Sequence, residues 1–324
     1  MSKQKVLVCG ATGFIGRNTA EFLASQGYEV YGTCYRSEPW EFDDVIFVQA
    51  DLTDKQDVAR VVEGMDIVIQ AAATTSGAKD ICNNPAYHVT DNAVMNALLF
   101  RAVLNAGVQH MVFYSCTTMY PSSGTPLKET DFDGNAEFYP GYFGGAWTKV
   151  YNEKMCEFYS RCGQTRFTVI RHSNIYGPYD KFDLERSHVF GATITKVETC
   201  EPGGAIVVWG DGSQGRDLLY VDDLMEFVMA ALEQQKDPYQ LYNVGCGRAV
   251  TVKELVERII AISGRDVRME FDRSKPTVNT SLCLDCTKAH EQLGWQVRTS
   301  LDEGIEKTLK WVRARQLDHV SCKG

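Results

Sequence analysis

The segment KVLVCGATGFIG, residues 5–16, decides the fold of this chain. Residues 5–9 are an apolar run typical of a buried strand, and an amphipathic helical pattern starts at Phe14. Gly10 permits a tight turn between them, Gly13 lets backbone approach a pyrophosphate, and Gly16 allows close packing of helix on sheet. The free N–H groups and the positive dipole end of the helix also face the position of that pyrophosphate. The segment therefore predicts a dinucleotide-binding turn. Its contacting residues would be Gly10, Thr12, Gly13, Phe14, Ile15 and Gly16.

Outward from this turn, apolar strand patterns alternate with helical patterns as far as residue 173. Buried strands separated by helices are typical of a parallel, doubly wound sheet. We therefore expect an α/β fold: a Rossmann-type doubly wound parallel sheet with a smaller C-terminal substrate-binding lobe. Residues 1–175 would form the dinucleotide-binding domain, about 206–245 would return to it, and 176–324 would mainly form the lobe.

The net charge of −9 and the lack of a long apolar run argue against two classes of partner. Nucleic acid is not expected, because phosphate backbones need a basic face. No apolar run approaches the roughly 18 residues of a membrane span. The N-terminus enters a strand without the organisation of a signal peptide. We expect a cytoplasmic protein without a membrane partner.

The 11 cysteines follow no regular spacing, and their odd count argues against a disulfide scaffold. Cys283 and Cys286 have the CxxC spacing of some zinc and redox sites. Neither a second CxxC pair nor a nearby histidine cluster completes a tetrahedral site, so no metal is expected.

The glycine spacing GxxGxxG, rather than GxGxxG, resembles the extended branch of the short-chain dehydrogenase/reductase superfamily. That resemblance implies that Asp51 and Leu52, after the third strand, contact the adenine. It also implies that Ala71, Ala72 and Ala73 pass along the cofactor ribose.

The end of the second strand bears on the choice between the two nicotinamide cofactors. NAD enzymes usually carry Asp or Glu there to bind the ribose 2′-hydroxyl. Residues 32–36, GTCYR, hold no acid, and Arg36 is suited to a 2′-phosphate, with Arg17 as a second contact. We expect NADP. NAD stays open, since both arginines could equally be solvated surface residues.

In the second half of the chain the resemblance becomes more specific. The segments that carry it are residues 115–121, 174–182, 187–189, 208–212, 220–223 and 272–276. They resemble GDP-L-fucose synthase and, next, GDP-mannose 3,5-epimerase. The resemblance implies an NAD(P)-dependent epimerase and reductase acting on a GDP-4-keto-6-deoxy sugar, and a homodimer.

In that family a Ser or Thr, a Tyr and a Lys four residues after the Tyr assist hydride transfer, while a Cys and a His exchange protons on carbon. Lys149 and His188 match their family counterparts by position. Gly145 stands at the Tyr position, Cys116 at the Ser/Thr position and Thr118 at the Cys position. A glycine side chain cannot donate a proton, and an unactivated Thr hydroxyl is no base at neutral pH. The resemblance therefore implies an atypical active site.

Two tyrosines are candidates to replace the missing phenol. Tyr142 precedes Lys149 by seven residues, among glycines that could let it swing toward the nicotinamide, and Tyr139 is the second. Both could instead be packing aromatics of a substrate loop. An engineered glycine at position 145 is a further alternative, because a tyrosine there would restore the usual motif. The catalytic candidates are Lys149, Tyr142, Cys116, Thr118 and His188.

A sugar nucleotide's diphosphate needs a local group of cations, because the chain as a whole is acidic. Arg216, in a Gly-Arg-Asp loop, is suited to bidentate phosphate contact. The resemblance adds Asn174, Lys196 and Lys275, with Arg273 beside it, as substrate-binding candidates. Each could equally be a solvated surface residue.

Two other functions stay open. One is a 4-epimerase or ketoreductase on another nucleotide sugar, without proton exchange on carbon. The other is a catalytically silent protein that binds cofactor and sugar nucleotide, which the glycine at position 145 favours.

Overall fold

The computed structural model describes residues 3–74, 84–184, 187–275 and 280–321. Seven strands form one sheet: β1 Lys5–Cys9, β2 Glu29–Cys34, β3 Val45–Gln49, β4 Ile67–Gln70, β5 His110–Tyr114, β6 Arg166–His172 and β10 Tyr239–Val244. Their order is β10-β6-β5-β4-β1-β2-β3, and every neighbouring pair is parallel. The predicted doubly wound α/β fold is confirmed.

Helices cover both faces of this sheet. Val6 and Val8 of β1 face one hydrophobic core, while Leu7 and Cys9 face the other, as the alternation of a strand requires. The first core includes α1 Phe14–Ser25 and α6 Val221–Gln234. The second includes α2 Lys55–Val62, α3 Thr90–Ala106 and α4 Phe143–Ser160.

Local sequence signals set the ends of several helices. The carboxylate of Asp54 accepts hydrogen bonds from the backbone N–H groups of Gln56 and Asp57, which caps α2. Gly107 adopts a left-handed conformation with φ of 70°, which ends α3.

A smaller lobe holds most of the remaining elements. They are β7 Asn174–Tyr176, α5 Val189–Thr199, β8 Gly204–Trp209, β9 Gly215–Tyr220, β11 Ala249–Thr251, α7 Val252–Ser263, β12 Val267–Asp272 and α9 Leu301–Ser321. The short helix α8 Thr287–Leu293 instead packs on the first core of the large sheet, through Ala289 and Leu293. Tyr176, Phe190, Ile259 and Ile305 are buried in the core of this lobe. In the described ranges no helix combines the length and apolarity needed to cross a bilayer.

The expected return of residues 206–245 to the large sheet is wrong for two of its strands. β10 joins that sheet, and α6 packs on it, but β8 pairs with β12 and β9 pairs with β7 and β11. The pattern of β8 gives the reason, because Val207 and Trp209 are exposed and alternate with buried residues. A strand with one solvated face does not suit a sheet that is covered on both sides.

The strand order reverses between β1 and β4, and this places the candidate site. From β1 the sheet runs to β2 and β3 on one side and through β4, β5, β6 and β10 on the other. In such sheets, ligands bind in the crevice outside the carboxyl ends of the strands at the reversal.

Candidate active site

The glycine turn lies at this reversal and is held tightly against β4. Gly10 has φ of +73°, a conformation that side chains other than glycine rarely adopt. A Cβ at Gly10 would come within 2.6 Å of the Ala72 Cα, and one at Gly16 would overlap the Gly10 carbonyl oxygen. The Gly10 N–H donates to the Thr33 hydroxyl at 2.8 Å, which fixes the turn to β2.

The start of α1 leaves backbone donors for an anion. The Arg17 N–H donates to the Gly13 carbonyl at 2.8 Å, so the amides of Phe14, Ile15 and Gly16 precede the first bond of the helix. The first turn of α1 contains no acidic residue. Because Gly13 is exposed beside Thr12, the turn can approach a phosphate closely. These features fit the pyrophosphate of a dinucleotide.

Arg36 and Asp51 lie together beyond the ends of β2 and β3. Asp51 accepts from the Thr53 hydroxyl at 2.6 Å and from the Thr53 N–H at 2.9 Å. Hydrogen bonds from Thr53 and then from Tyr35, with the charge of Arg36, lower the pKa of the Asp51 carboxyl. Arg36 is exposed, with its guanidinium 5.2 Å from the Tyr35 ring centre.

The other residues predicted for this half of the site lie along the same edge. Leu52 is buried beside Asp51. Ala71, Ala72 and Ala73 follow β4, where the Ala71 N–H donates to the Cys9 carbonyl and Ala73 is exposed.

Arg17 is held by neighbours on two sides. Its guanidinium pairs with Glu21 at 2.8 Å and lies between the rings of Trp40 and Tyr179, 4.5 and 3.8 Å from their centres. Asn18, the next residue of α1, donates to the Pro178 carbonyl at 3.0 Å. Arg17 therefore links α1 to the loop that follows β7.

Lys149 projects from α4 toward the end of β5. Its Nζ donates to the Tyr114 carbonyl at 2.8 Å and lies 4.9 Å from the Phe113 ring centre. Burial lowers the pKa of Lys149, while neighbouring Cys116 and Glu153 oppose the shift. The Cys116 Sγ is 3.0 Å from the Thr118 hydroxyl. Three predicted catalytic residues, Lys149, Cys116 and Thr118, thus lie close together.

Gly145 precedes Lys149 by one helical turn. In the part of the chain that the structure describes, a Cβ at Gly145 would meet only the His88 Cβ, at 3.9 Å. Its φ lies outside the left-handed region, so the backbone does not require glycine at this position. The structure therefore admits a larger residue at the family's Tyr position, and nothing in the backbone explains the glycine.

Tyr142 and His188 are both near Arg216. Burial lowers the pKa of Arg216, and the nearby Tyr142 opposes the shift. Arg216 donates to the Thr280 carbonyl at 2.6 Å. His188 is exposed at the start of α5, yet the surrounding protein still desolvates its charge. This desolvation, together with the charges of Lys181 and Arg216, lowers the pKa of His188.

The remaining substrate-binding candidates are more scattered. The Asn174 amide donates to the Asp217 carbonyl at 3.1 Å, next to Arg216 in the chain. Lys196 donates to the Val207 carbonyl at 2.7 Å, and burial lowers its pKa. Lys275 is exposed in the turn after β12.

One histidine was missed by sequence reasoning. His172, the last residue of β6, is close enough to Lys149 and His188 for the charges of both to lower its pKa. We refer to Lys149, Cys116, His172 and His188 as the central cluster. The signal for His172 was its place at the carboxyl end of a sheet strand, where ligands bind.

A buried ion pair, also missed, anchors this cluster. Arg171 donates to Glu153 through Nε at 3.0 Å and through Nη2 at 2.6 Å. The Ser115 hydroxyl donates to Glu153 at 2.5 Å, and Arg171 also donates to the Tyr120 hydroxyl at 2.9 Å. Burial opposes the charge of Arg171, but its bonds to Glu153 raise its pKa. The pair joins α4, one turn after Lys149, to the ends of β5 and β6.

The CxxC segment contacts the residue that follows β10. Cys286 accepts from the Gly245 N–H at 3.2 Å, and Cys283 is buried; neither is in a disulfide. Within the described residues there is no group of three side chains able to ligate a metal.

Asp180, in the loop after β7, is a partly buried carboxylate residue. Its Oδ1 accepts from the Lys181 N–H at 2.7 Å, while its buried Oδ2 has no hydrogen-bond partner among the residues that the structure describes. Burial raises the pKa of Asp180 to about 7. A carboxyl whose pKa is raised on folding stabilises the protein when protonated, and this contribution declines as pH rises from about 4 toward 7.

Asp180→Asn is expected to weaken that decline. In the wild type, the Asp180 carboxyl should make the free energy of unfolding fall as pH rises toward about 7. The slope from this one group is at most about 1.4 kcal/mol per pH unit. The variant should show a shallower slope in urea denaturation at pH 5, 6, 7 and 8. The exposed Asp44→Asn serves as the control and should keep the wild-type slope. Parallel curves for Asp180→Asn and wild type would contradict the assignment.

Comparison with known proteins agrees with this geometry. Residues 6–245 match the NAD dependent epimerase/dehydratase family. The chain is 27% identical to GDP-L-colitose synthase of Yersinia pseudotuberculosis, over 95% of this chain and 97% of the relative. It is 30% identical to GDP-L-fucose synthase of Escherichia coli, over 98% of each. UDP-glucose 4-epimerase of Thermotoga maritima, solved with UDP-glucose, superposes with a TM-score of 0.85 at 26% identity, over 97% of this chain and 100% of that one. The resemblance read from the motifs is thus confirmed: the chain belongs to the NAD dependent epimerase/dehydratase family and is an NAD(P)-dependent enzyme.

Proposed function

We propose that this chain epimerises and reduces a GDP-linked 4-keto-6-deoxy sugar, using an atypical active site with glycine at the usual tyrosine position. The observation that carries the proposal is the arrangement of the central cluster beside Arg216, at the carboxyl ends of β5 and β6. It combines a partly buried cation and two histidines with a nearby arginine that is suited to bind an anion. The names of relatives that act on GDP sugars support the choice of nucleotide.

Each residue has a role that follows from its surroundings. A nicotinamide dinucleotide bound at the glycine turn would supply hydride transfer. The Lys149 ammonium stabilises negative charge on a carbonyl oxygen placed beside it. Arg216, with its fork of donors, binds the diphosphate. His188 is neutral at pH 7 because its pKa is lowered, so it is able to accept a proton from the carbon next to a ketone.

The proton at the sugar oxygen has several candidate partners in this proposal. Tyr142 beside Arg216 and the Cys116–Thr118 pair beside Lys149 are the candidates. A positioned general acid contributes about 10²- to 10⁴-fold to the rate. A slow reaction relative to a tyrosine-containing site is therefore expected, and Tyr142→Phe should slow it further if that phenol is the donor.

The direct test is incubation with GDP-4-keto-6-deoxymannose and NADPH in deuterated water. The proposal predicts NADPH consumption together with deuterium on the sugar carbons next to the ketone. Lys149→Met should abolish both signals, whereas Lys154→Met, on the exposed side of the same helix, should leave them unchanged.

The other outcomes identify the alternatives. NADPH consumption without deuterium on carbon would indicate a 4-ketoreductase or 4-epimerase, which the threonine at position 118 favours. Absence of turnover, with both ligands raising the melting temperature, would indicate a silent binding protein, which Gly145 favours.

Within this function we propose NADP as the cofactor, supported by the exposed Arg36 at the end of an acid-free β2. Arg36→Ala is expected to weaken NADPH binding by about 10- to 100-fold, the worth of hydrogen bonds to a charged group. NADH binding should not change. Fluorescence titration with each dinucleotide measures the effect, and Arg268→Ala in the lobe is the control. Equal loss for both dinucleotides would contradict a 2′-phosphate contact.

We also propose a homodimer, supported by an exposed apolar stripe along α4. Phe143, Trp147, Tyr151 and Phe158 are 59, 37, 49 and 56% exposed and share one helical face. Tyr151→Glu is expected to convert the dimer to a monomer in sedimentation velocity, while Ile46→Glu at the sheet edge should not. A wild-type monomer at high concentration would refute the proposal. The cytoplasmic location stays a prediction.

A further inference from the structure

His172 has a fixed arrangement of donor and acceptor nitrogens. Its Nδ1 lies 2.7 Å from the carbonyl oxygen of Ser173. A carbonyl oxygen only accepts, so Nδ1 carries the hydrogen and Nε2 presents a lone pair. The contact thus selects one tautomer of the ring.

The surroundings keep this imidazole neutral. Burial, and then the charges of Lys149 and His188, lower the pKa of His172 to about 4, against the opposing pull of the Ser173 carbonyl. The ring also meets the Tyr114 ring edge-on, with centres 6.2 Å apart. At neutral pH the Nε2 atom is therefore an acceptor and not a donor.

The Nε2 atom of His172 is available to accept a hydrogen bond from a ligand. His172 is half-buried, and among the described residues its Nε2 has no hydrogen-bond partner. Tyr114 links His172 to Lys149, because its ring meets the imidazole and its carbonyl accepts from the Lys149 Nζ at 2.8 Å. The charge of His188 also acts on the imidazole of His172.

We propose that His172 Nε2 accepts a hydrogen bond from the sugar hydroxyl on the carbon next to the ketone, and so makes that hydroxyl a requirement of the substrate. A ketone oxygen cannot fill this place, because it has no hydrogen to donate. His172 is then a specificity-determining residue that orients the sugar between Lys149 and His188. This inference rests on the proposed function and adds the substrate class: a keto sugar that keeps its 3-hydroxyl.

The test compares GDP-4-keto-6-deoxymannose with its 3-deoxy counterpart as substrates. For the wild type we expect kcat/KM for the 3-deoxy sugar to be lower by about 10- to 100-fold, because an acceptor built to meet a hydroxyl is left unpaired. His172→Leu should lose a similar factor on the parent sugar and then discriminate little between the two. His172→Gln, which keeps an acceptor oxygen, should recover part of the preference. His290→Leu, at an exposed histidine of α8, is the matched control and should behave as wild type.

The outcomes separate the two proposals. If the wild type turns over both sugars equally, or if His172→Leu keeps the full preference for the parent sugar, the role of His172 is overturned and the proposed function stands. If the wild type turns over neither sugar, the proposed function fails and the inference falls with it. NADPH binding by His172→Leu, measured by fluorescence, shows that this variant is folded. If His172→Leu does not fold, the preference of His172→Gln between the two sugars tests the role of His172.

Discussion

Glu153→Leu is expected to lower the free energy of unfolding by about 3–5 kcal/mol, since it leaves the buried Arg171 without its counter-ion. Both side chains are almost fully buried, so water cannot replace the lost carboxylate. The Ser115 hydroxyl loses its acceptor at the same time. Urea denaturation measures the change, and Glu157→Leu, one turn further along α4 in a more exposed ion pair, should cost no more than about 1 kcal/mol.

The double variant Glu153→Leu/Arg171→Met distinguishes a desolvated charge from lost packing. It should be more stable than Glu153→Leu alone, because replacing both members of a buried pair removes the unpaired charge. If the double variant is less stable than the single one, packing rather than the bare guanidinium causes the loss.

Gly16→Ala is expected to weaken dinucleotide binding by about 100-fold or more. Its Cβ would overlap the Gly10 carbonyl oxygen, so either the turn or the start of α1 has to move. A displacement of about 1 Å in a positioned site costs on the order of 10²-fold in reaction rate, and we expect a comparable loss of affinity for the dinucleotide. Titration with NADPH measures the affinity. Gly124→Ala, where a Cβ would contact none of the described residues, should bind as wild type does. Unchanged affinity of Gly16→Ala would show that the turn does not receive the pyrophosphate.

The fold was predictable because its signals are local. The strand, turn and helix of residues 5–25 appear where the glycine spacing predicts them, and a left-handed glycine, Gly107, ends α3. The pairing of β8 with β12 was not predictable in this way. It joins residues more than 50 positions apart, and the apolar run of β8 does not reveal which sheet it enters.

The candidate site was predictable only where one residue carries a recognisable role. Lys149 stands one turn after Gly145, and the resemblance located both. His172 and the Glu153–Arg171 pair have no motif of their own. Their positions follow from the tertiary contacts of β6 with α4, which the sequence order does not contain.

Arg17 joins the large sheet to the smaller lobe through side-chain contacts. The residue belongs to the helix that begins at the glycine turn, yet its guanidinium is clasped by Trp40 on one side and by Tyr179, after β7, on the other. A movement of the lobe away from the large sheet would have to separate Arg17 from Tyr179. It would also break the hydrogen bond from Asn18 to the Pro178 carbonyl. The start of α1, which follows the glycine turn, is therefore tied by side-chain contacts to the loop that bears Asp180 and Lys181.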